Sequence, residues 1–169
     1  VADGIEESTK KQLKLDAGTT GRGIGPTYED KMSRRGIRIG DLIDEDLLLK
    51  KLEYLIQRRR MIAGNSVDID QSGGFDVESV YKEYRSYGER IKNEGMAIVA
   101  GDFITEHIKA GGKVIFEGAQ GTLLDIDHGI YPHVTSSNSS AGYAATGSGV
   151  APTIIGKGEI IGIIKAYLS

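Results

Sequence analysis

The stretch Lys113-Val114-Ile115-Phe116-Glu117 lies between Gly111-Gly112 and a loop that begins at Gly118. A short apolar run bounded by turn residues is typical of a buried strand. A helical pattern precedes this run and a glycine-rich loop follows it, which is the order found in α/β sheets. Ligands gather at the carboxyl ends of such strands. The sequence therefore predicts an α/β fold that includes part of a mostly parallel central sheet.

The middle of the chain has helical spacing. Asp44 is a candidate N-cap for a helix that carries Leu48, Leu52, Leu55 and Ile56 on one face. A second helical pattern covers residues 75–110 and is expected to break at Gly88, Gly95 or Gly101, with a polar loop at residues 64–74 before it. We expect residues 41–110 to form a helical subdomain between two glycine-rich loop regions, and residues 1–169 to be an internal fragment of a single larger α/β domain.

Composition limits the classes of protein to which the chain can belong. It has 169 residues, a formal charge of −3, no Cys and 24 Gly, whereas an average chain contains about 7% Gly. The charge argues against a general nucleic-acid binder, and no apolar run approaches the length of a membrane span. Without Cys there is no disulfide or thiolate site, which is compatible with the cytoplasm.

Both ends of the sequence indicate a piece of something longer. Val1 is not preceded by an initiator Met, and no signal-peptide pattern follows it. The isoleucine-rich run at residues 160–168 predicts another strand, which stops at the end of the sequence. We expect an internal part of a larger protein.

The first candidate site is the loop at residues 18–26, GTTGRGIGP, which leads into a helix. Its glycines free backbone N–H groups to face one anion, the helix N-terminus adds positive potential, and Thr19, Thr20 and Arg22 supply further donors. The alternative is a flexible turn with a solvated Arg. The loop is not a Walker A motif, since no Gly-Lys-Ser/Thr ending is present.

A basic cluster follows this loop. Lys31 and Arg34 are three residues apart and are expected on one face of the same helix, with Arg35 on another face and Arg38 beyond a helix end at Gly36. One of these cations either binds the anion directly or serves a neighbouring subunit. The alternative is a solvated basic face.

The second candidate site is residues 116–129, FEGAQGTLLDIDHG. A strand that ends here places the Gln120 carboxamide at the sheet edge, where it can both donate to and accept from a base. Asp125, Asp127 and His128 suggest either a metal or acid–base site or, more simply, carboxylates in salt bridges. The three His residues lack the spacing of a zinc site.

The third candidate site is residues 135–149, where Thr135 begins a run of hydroxyl and small residues. These hydroxyls would be a second set of phosphate donors. Composition alone supports a plain polar loop equally well.

The motifs at residues 18–31 and 116–129, with Arg34-Arg35-Gly36, Val134-Thr135-Ser136-Ser137-Asn138 and Lys165-Ala166-Tyr167, resemble adenylosuccinate synthetase. The resemblance implies a cytoplasmic, homodimeric, GTP- and Mg²⁺-dependent ligase of purine biosynthesis that joins IMP and aspartate. In that family GTP phosphorylates the 6-oxygen of IMP, and the aspartate amine then displaces the phosphate. Neither a membrane nor a nucleic acid is implied as a partner.

The resemblance also implies roles for individual residues. Thr20 and Thr135 would bind the IMP 5′-phosphate, and Arg34 would reach the IMP of the partner subunit. Gln120 would contact the hypoxanthine and stabilise negative charge on its 6-oxygen. No metal ligand is expected in this chain. The family's N-terminal loop, with its catalytic Asp and GTP contacts, its catalytic His and its C-terminal third have no counterpart here, so the chain alone is expected to be inactive. Alternatives are a non-catalytic nucleotide-monophosphate-binding module and a purely structural α/β piece.

Overall fold

A computed structural model describes residues 2–15, 17–64, 76–96 and 98–166, and the regular structure within them is helical. Two short 3₁₀ helices cover Ile39–Ile43 and Thr122–Leu124. The α-helices are α1 (Ala2–Gln12), α2 (Ile24–Met32), α3 (Glu45–Ala63), α4 (Val77–Asn93), α5 (Ala100–Lys109), α6 (Tyr143–Ser148) and α7 (Pro152–Ile155).

Helix α3 forms as the sequence predicts. The Asp44 carboxylate accepts a hydrogen bond from the Leu47 N–H at 3.0 Å and so caps the helix. Leu48, Leu52 and Ile56 are buried on one face, and the fourth predicted residue, Leu55, is half-buried. The predicted cap and the predicted apolar face are therefore both confirmed, and Leu48 has no exposed surface at all.

The main hydrophobic core lies between α3, α4 and the first 3₁₀ helix. Leu42, Leu48 and Leu52 are its buried members, and Val80 and Tyr81 of α4 pack against them. Asp41 stabilises one end of this core. Its carboxylate accepts a hydrogen bond from the Arg38 N–H and forms an ion pair with Lys51. Burial alone would raise the pKa of Asp41, but the hydrogen bonds from the Lys51 ammonium and from the Arg38 N–H lower it below the ordinary value of 3.8.

The second helical pattern breaks at Gly95, which has a left-handed φ of 65° just after α4. The other two candidate glycines lie inside helices, at positions where backbone from another segment approaches too closely for a side chain. A Cβ on Gly88 would overlap the carbonyl of Leu42, and a Cβ on Gly101 would lie 2.6 Å from the carbonyl oxygen of Gly149. Glycine in these helices therefore serves close packing rather than helix termination.

The predicted α/β fold with a mostly parallel central sheet is wrong for the described residues, none of which belongs to a strand. Residues 113–117 and 160–165 have irregular backbone, and neither run forms a strand. Ile115 is 92% exposed, and Ile163 is 93% exposed. A strand needs a neighbour that accepts its backbone hydrogen bonds, and an apolar run alone does not supply one.

Two other expectations have a different outcome. The polar loop predicted at residues 64–74 lies, apart from Gly64, outside the described residues. The boundaries of the helical subdomain, residues 41–110, stay a prediction. Among the helices that the structure describes, none is long and apolar enough to cross a membrane.

Candidate functional site

Three glycines of the loop after α1 have left-handed backbone conformations, but the prediction that their N–H groups face one anion is wrong. Gly18, Gly21 and Gly23 have φ values of 80°, 69° and 77°, which glycine adopts without strain. Their N–H groups donate to three separate oxygens rather than facing one common point. The acceptors, in that order, are the Glu7 carboxylate at 3.0 Å, the Thr19 hydroxyl at 3.1 Å and the buried Asp3 carboxylate.

Helix α2 starts directly after this loop and has Pro26 in its first turn, as expected. It ends at Met32, so the prediction that Arg34 lies on the same helical face as Lys31 is wrong. Arg34 instead has a left-handed φ of 61°, and the next two N–H groups both return to the Asp30 carbonyl at 3.0 Å. The chain thus turns at Arg34, two residues before the expected end at Gly36.

The cations of this region have different environments. The Arg35 guanidinium is paired with Glu29 at 2.6 Å and with Asp30 at 2.7 Å, so it is a structural residue. Lys31 lies 5.4 Å from the centre of the Tyr28 ring. Arg34 is exposed and has no ion pair with any described residue, which leaves its guanidinium available to a ligand.

Gln120 follows residues 113–119 and precedes the second 3₁₀ helix. Its φ of 59° is left-handed, a conformation that few non-glycine residues adopt. Its side chain is exposed. The carboxamide is therefore presented outward, although by an irregular segment and not by the predicted strand.

Asp125 is fully buried, and the structure assigns it neither of the two predicted roles. Its carboxylate accepts hydrogen bonds from amide groups and takes part in no salt bridge between described residues. Burial alone would raise the pKa of Asp125, but the N–H groups of Asp127, Ser140 and His128 and the Asn138 amide hold it far below its usual range. Sequence reasoning missed this role. The local signal was available, because an Asp that accepts from N–H groups two and three residues later forms an Asx-type turn.

The acidic cluster around Asp125 also offers no metal centre. Within the described ranges, no group of three or more His, Asp or Glu side chains is arranged to hold a metal ion. The Asp127 carboxylate accepts from the Asn138 amide at 2.6 Å.

The three candidate segments lie next to one another. The position that a Cβ would take on Gly25 is 3.5 Å from the Ser136 hydroxyl oxygen. The Thr135 N–H donates to the Leu124 carbonyl at 2.8 Å, and the Ser139 hydroxyl donates to the Gly121 carbonyl at 2.8 Å. Lys31 Nζ is 3.5 Å from the Tyr143 hydroxyl. The segments that carry Thr20, Gln120 and Thr135 therefore border one polar region, which is rich in hydroxyl and amide donors.

Comparison with known proteins identifies the family. The family model described as adenylosuccinate synthetase matches residues 1–169, the whole chain. The chain belongs to the adenylosuccinate synthetase family. The prediction made from the glycine-loop and GAQG motifs is therefore confirmed.

Two curated adenylosuccinate synthetases illustrate the similarity. That of Natronomonas pharaonis is 54% identical over 177 residues, which cover 100% of this chain and 38% of the relative. That of Halobacterium salinarum is 54% identical over 170 residues, which cover 99% of this chain and 39% of the relative. The chain thus spans well under half the length of these relatives, as expected for part of a larger family member.

A solved structure gives the same assignment. The fully ligated adenylosuccinate synthetase from Plasmodium falciparum is 31% identical, with a TM-score of 0.76, and the match covers 90% of this chain and 34% of that chain. The described helices and loops therefore have the arrangement of part of that enzyme.

Proposed function

We propose that the protein containing this chain joins IMP and L-aspartate, with hydrolysis of GTP, to form adenylosuccinate in AMP biosynthesis in the cytoplasm. Family membership supports the reaction. The observation that carries the role of this chain is the approach of the glycine loop to the hydroxyl-rich segment, 3.5 Å between the Gly25 Cβ position and Ser136. Two segments more than a hundred residues apart thus supply donors to one region, as a phosphate site requires.

Each candidate residue has one role in this proposal. The Thr20 and Thr135 hydroxyls donate hydrogen bonds to the 5′-phosphate of IMP. The Gln120 carboxamide donates to the 6-oxygen of the hypoxanthine while negative charge develops there, which is electrostatic stabilisation by an oriented donor. Arg34 binds the IMP held by the partner subunit of a homodimer, which agrees with its exposed and unpaired side chain.

We place most of the GTP, Mg²⁺ and aspartate contacts in other parts of the full-length protein, and we expect the chain alone to be inactive. The resemblance implies that the family's GTP contacts lie in an N-terminal loop whose motif this sequence does not contain. Among the residues that the structure describes, no group of three or more His, Asp or Glu side chains is arranged to hold a metal ion.

Binding of IMP to the full-length protein tests the phosphate assignment. Replacing Thr20 and Thr135 together by Ala removes two hydrogen bonds to a charged group, each worth about 1.5–3 kcal/mol, so the Kd for IMP should rise by at least about a hundredfold. Thr9→Ala is the control, because the Thr9 hydroxyl donates its hydrogen bond within its own helix, to the Ile5 carbonyl. Unchanged affinity in the double variant would show that the phosphate is bound elsewhere. Binding of IMP without formation of adenylosuccinate would favour the non-catalytic binding module.

Mixing of variants tests the role of Arg34. Arg34→Leu should raise the Michaelis constant for IMP. Mixed dimers with the Thr20→Ala, Thr135→Ala variant should regain activity, because one of the two sites is then intact. Arg90→Leu is a matched control, since Arg90 is exposed on α4 and paired with Glu94. If mixed dimers that are shown to exchange subunits regain no activity, Arg34 does not bind the IMP of the partner subunit and this role is wrong.

A further inference from the structure

Asp125 is a charged side chain that the proposed mechanism does not use. It is fully buried, whereas ionised carboxylates are rarely buried unless hydrogen bonds satisfy both oxygens. Five donors do so here. They are the Asp127 and His128 N–H groups, the Asn138 amide, and the Ser139 and Ser140 N–H groups, at distances of 2.7–3.2 Å.

The two carboxylate oxygens of Asp125 have different partners. Oδ1 accepts from the local turn, through Asp127 and His128, and from the Asn138 side chain. Oδ2 accepts only from the backbone N–H groups of Ser139 and Ser140, at 2.7 and 3.0 Å. One carboxylate therefore joins the turn after Gln120 to the segment that begins at Thr135.

The surrounding backbone hydrogen bonds connect this junction to the segment that carries Thr135, one of the proposed substrate residues. Thr135 N–H donates to the carbonyl of Leu124, the residue before Asp125, and Ile126 N–H donates to the Ser137 carbonyl at 3.1 Å. Moving Asp125 relative to residues 135–140 would therefore move the Thr135 hydroxyl relative to Gln120.

Asp125 does not act on the substrate directly. No part of it is exposed, and the hydrogen bonds that keep its pKa low also keep it ionised. A buried ionised acceptor whose two oxygens are both bonded neither touches a ligand nor exchanges a proton with it. Its effect must pass through the backbone that it holds.

We propose that Asp125 is a positioning residue that fixes the segment carrying Thr135 against the segment carrying Gln120, so that one IMP molecule is held at its phosphate and at its base. This inference rests on the proposed function. It adds a residue that contacts no substrate but on which the spacing of two substrate contacts depends.

The test compares three variants of the full-length protein. Asp125→Asn keeps the shape but replaces an acceptor oxygen by a donor, so one set of N–H groups loses its partner. Asn138→Ala removes the side-chain hydrogen bonds to Asp125 and to Asp127, and it leaves Asp125 charged and bonded to its four backbone N–H partners. Asp41→Asn is the matched control, because Asp41 is also an ionised carboxylate bonded to a backbone N–H, but it lies in the helical core.

The measurements are the Kd for IMP by calorimetry, the Michaelis constants for IMP and GTP, and hydrogen exchange of residues 126–140. Asp125→Asn should raise the Kd and KM for IMP by about tenfold or more, which corresponds to the loss of roughly one hydrogen bond to the charged phosphate. The KM for GTP should stay unchanged, and exchange in residues 126–140 should become faster. Asn138→Ala should show the same pattern more weakly. Asp41→Asn should lower stability and leave IMP affinity unchanged.

Failures of the two proposals are distinguishable. If the unsubstituted full-length protein binds no IMP, the proposed function is wrong and this inference with it. If it binds IMP and a folded Asp125→Asn variant binds equally well, only the positioning role is wrong. Should Asp125→Asn fail to fold, Asn138→Ala decides, and unchanged IMP affinity there overturns the inference.

Discussion

Replacement of Gly88 by Ala should destabilise the protein, although the same change stabilises most helices. Gly88 is buried in α4, and the position of an added Cβ overlaps the Leu42 carbonyl, with the Leu42 carbonyl carbon only 2.6 Å away. Both atoms belong to the backbone, so no side chain can rotate aside. Overpacking of this kind costs about 1–3 kcal/mol, whereas Ala in a helix gains about 1 kcal/mol over Gly. Taking the upper part of the cost, we expect a net loss of about 2 kcal/mol in the free energy of unfolding.

Gly4→Ala in α1 is the matched control for this prediction. No atom lies within 4 Å of a Cβ built on Gly4, so only the helix-propensity gain remains and stability should be unchanged or raised by up to about 1 kcal/mol. Urea unfolding of the full-length protein, followed by circular dichroism, measures both variants. If Gly88→Ala raises the free energy of unfolding as much as Gly4→Ala does, the inference that α4 packs closely on the first 3₁₀ helix is wrong.

Four further changes test other parts of the structure. Leu48→Ala should cost about 3–5 kcal/mol of stability because Leu48 is fully buried, whereas Leu47→Ala on the exposed side of α3 should cost roughly 1 kcal/mol or less; urea midpoints compare them. Asp41→Asn should lower stability at pH 7. Because the folded pKa of Asp41 is depressed, this difference should shrink as pH falls below 3.8, which urea titrations at several pH values would detect. Gln120→Ala should lower kcat by about 100- to 1000-fold without changing the KM for GTP, as steady-state kinetics would show. Arg34→Gly should raise stability by about 1 kcal/mol, since glycine suits a left-handed residue, while weakening IMP binding measured by calorimetry.

Local patterns in the sequence predicted helix α3 well because the causes of that helix are local. The Asp44 cap and the spacing of Leu48, Leu52 and Ile56 need only one turn of chain to specify a buried helical face. The break between α4 and α5 was placed among three glycines. Only the structure separates Gly95, which turns the chain, from the two glycines whose neighbours come from distant segments.

Features that depend on a distant partner were predicted poorly. The runs at residues 113–117 and 160–165 have strand composition, but a strand requires pairing with a second segment, and neither run forms a strand in the part of the chain that the structure describes. The candidate site likewise combines features that local sequence predicts with features that depend on a distant partner. Its loops and the proposed substrate residues could be named from motifs, whereas the link from Asp125 to Ser139 and Ser140 joins residues 14 and 15 positions apart. No local pattern predicts such a link.

Backbone conformation supplies a signal for function that does not depend on motif recognition. Among the described residues, the left-handed non-glycine residues are Lys14, Arg34 and Gln120. An L-residue there costs roughly 1–2 kcal/mol relative to its ordinary conformation, and glycine is the usual residue just past a helix end, where Arg34 stands. A chain optimised only for stability would place glycine at both Arg34 and Gln120. The side chains kept at this cost are exposed and lie beside the two motif loops, which is where strained residues that contact a ligand are expected.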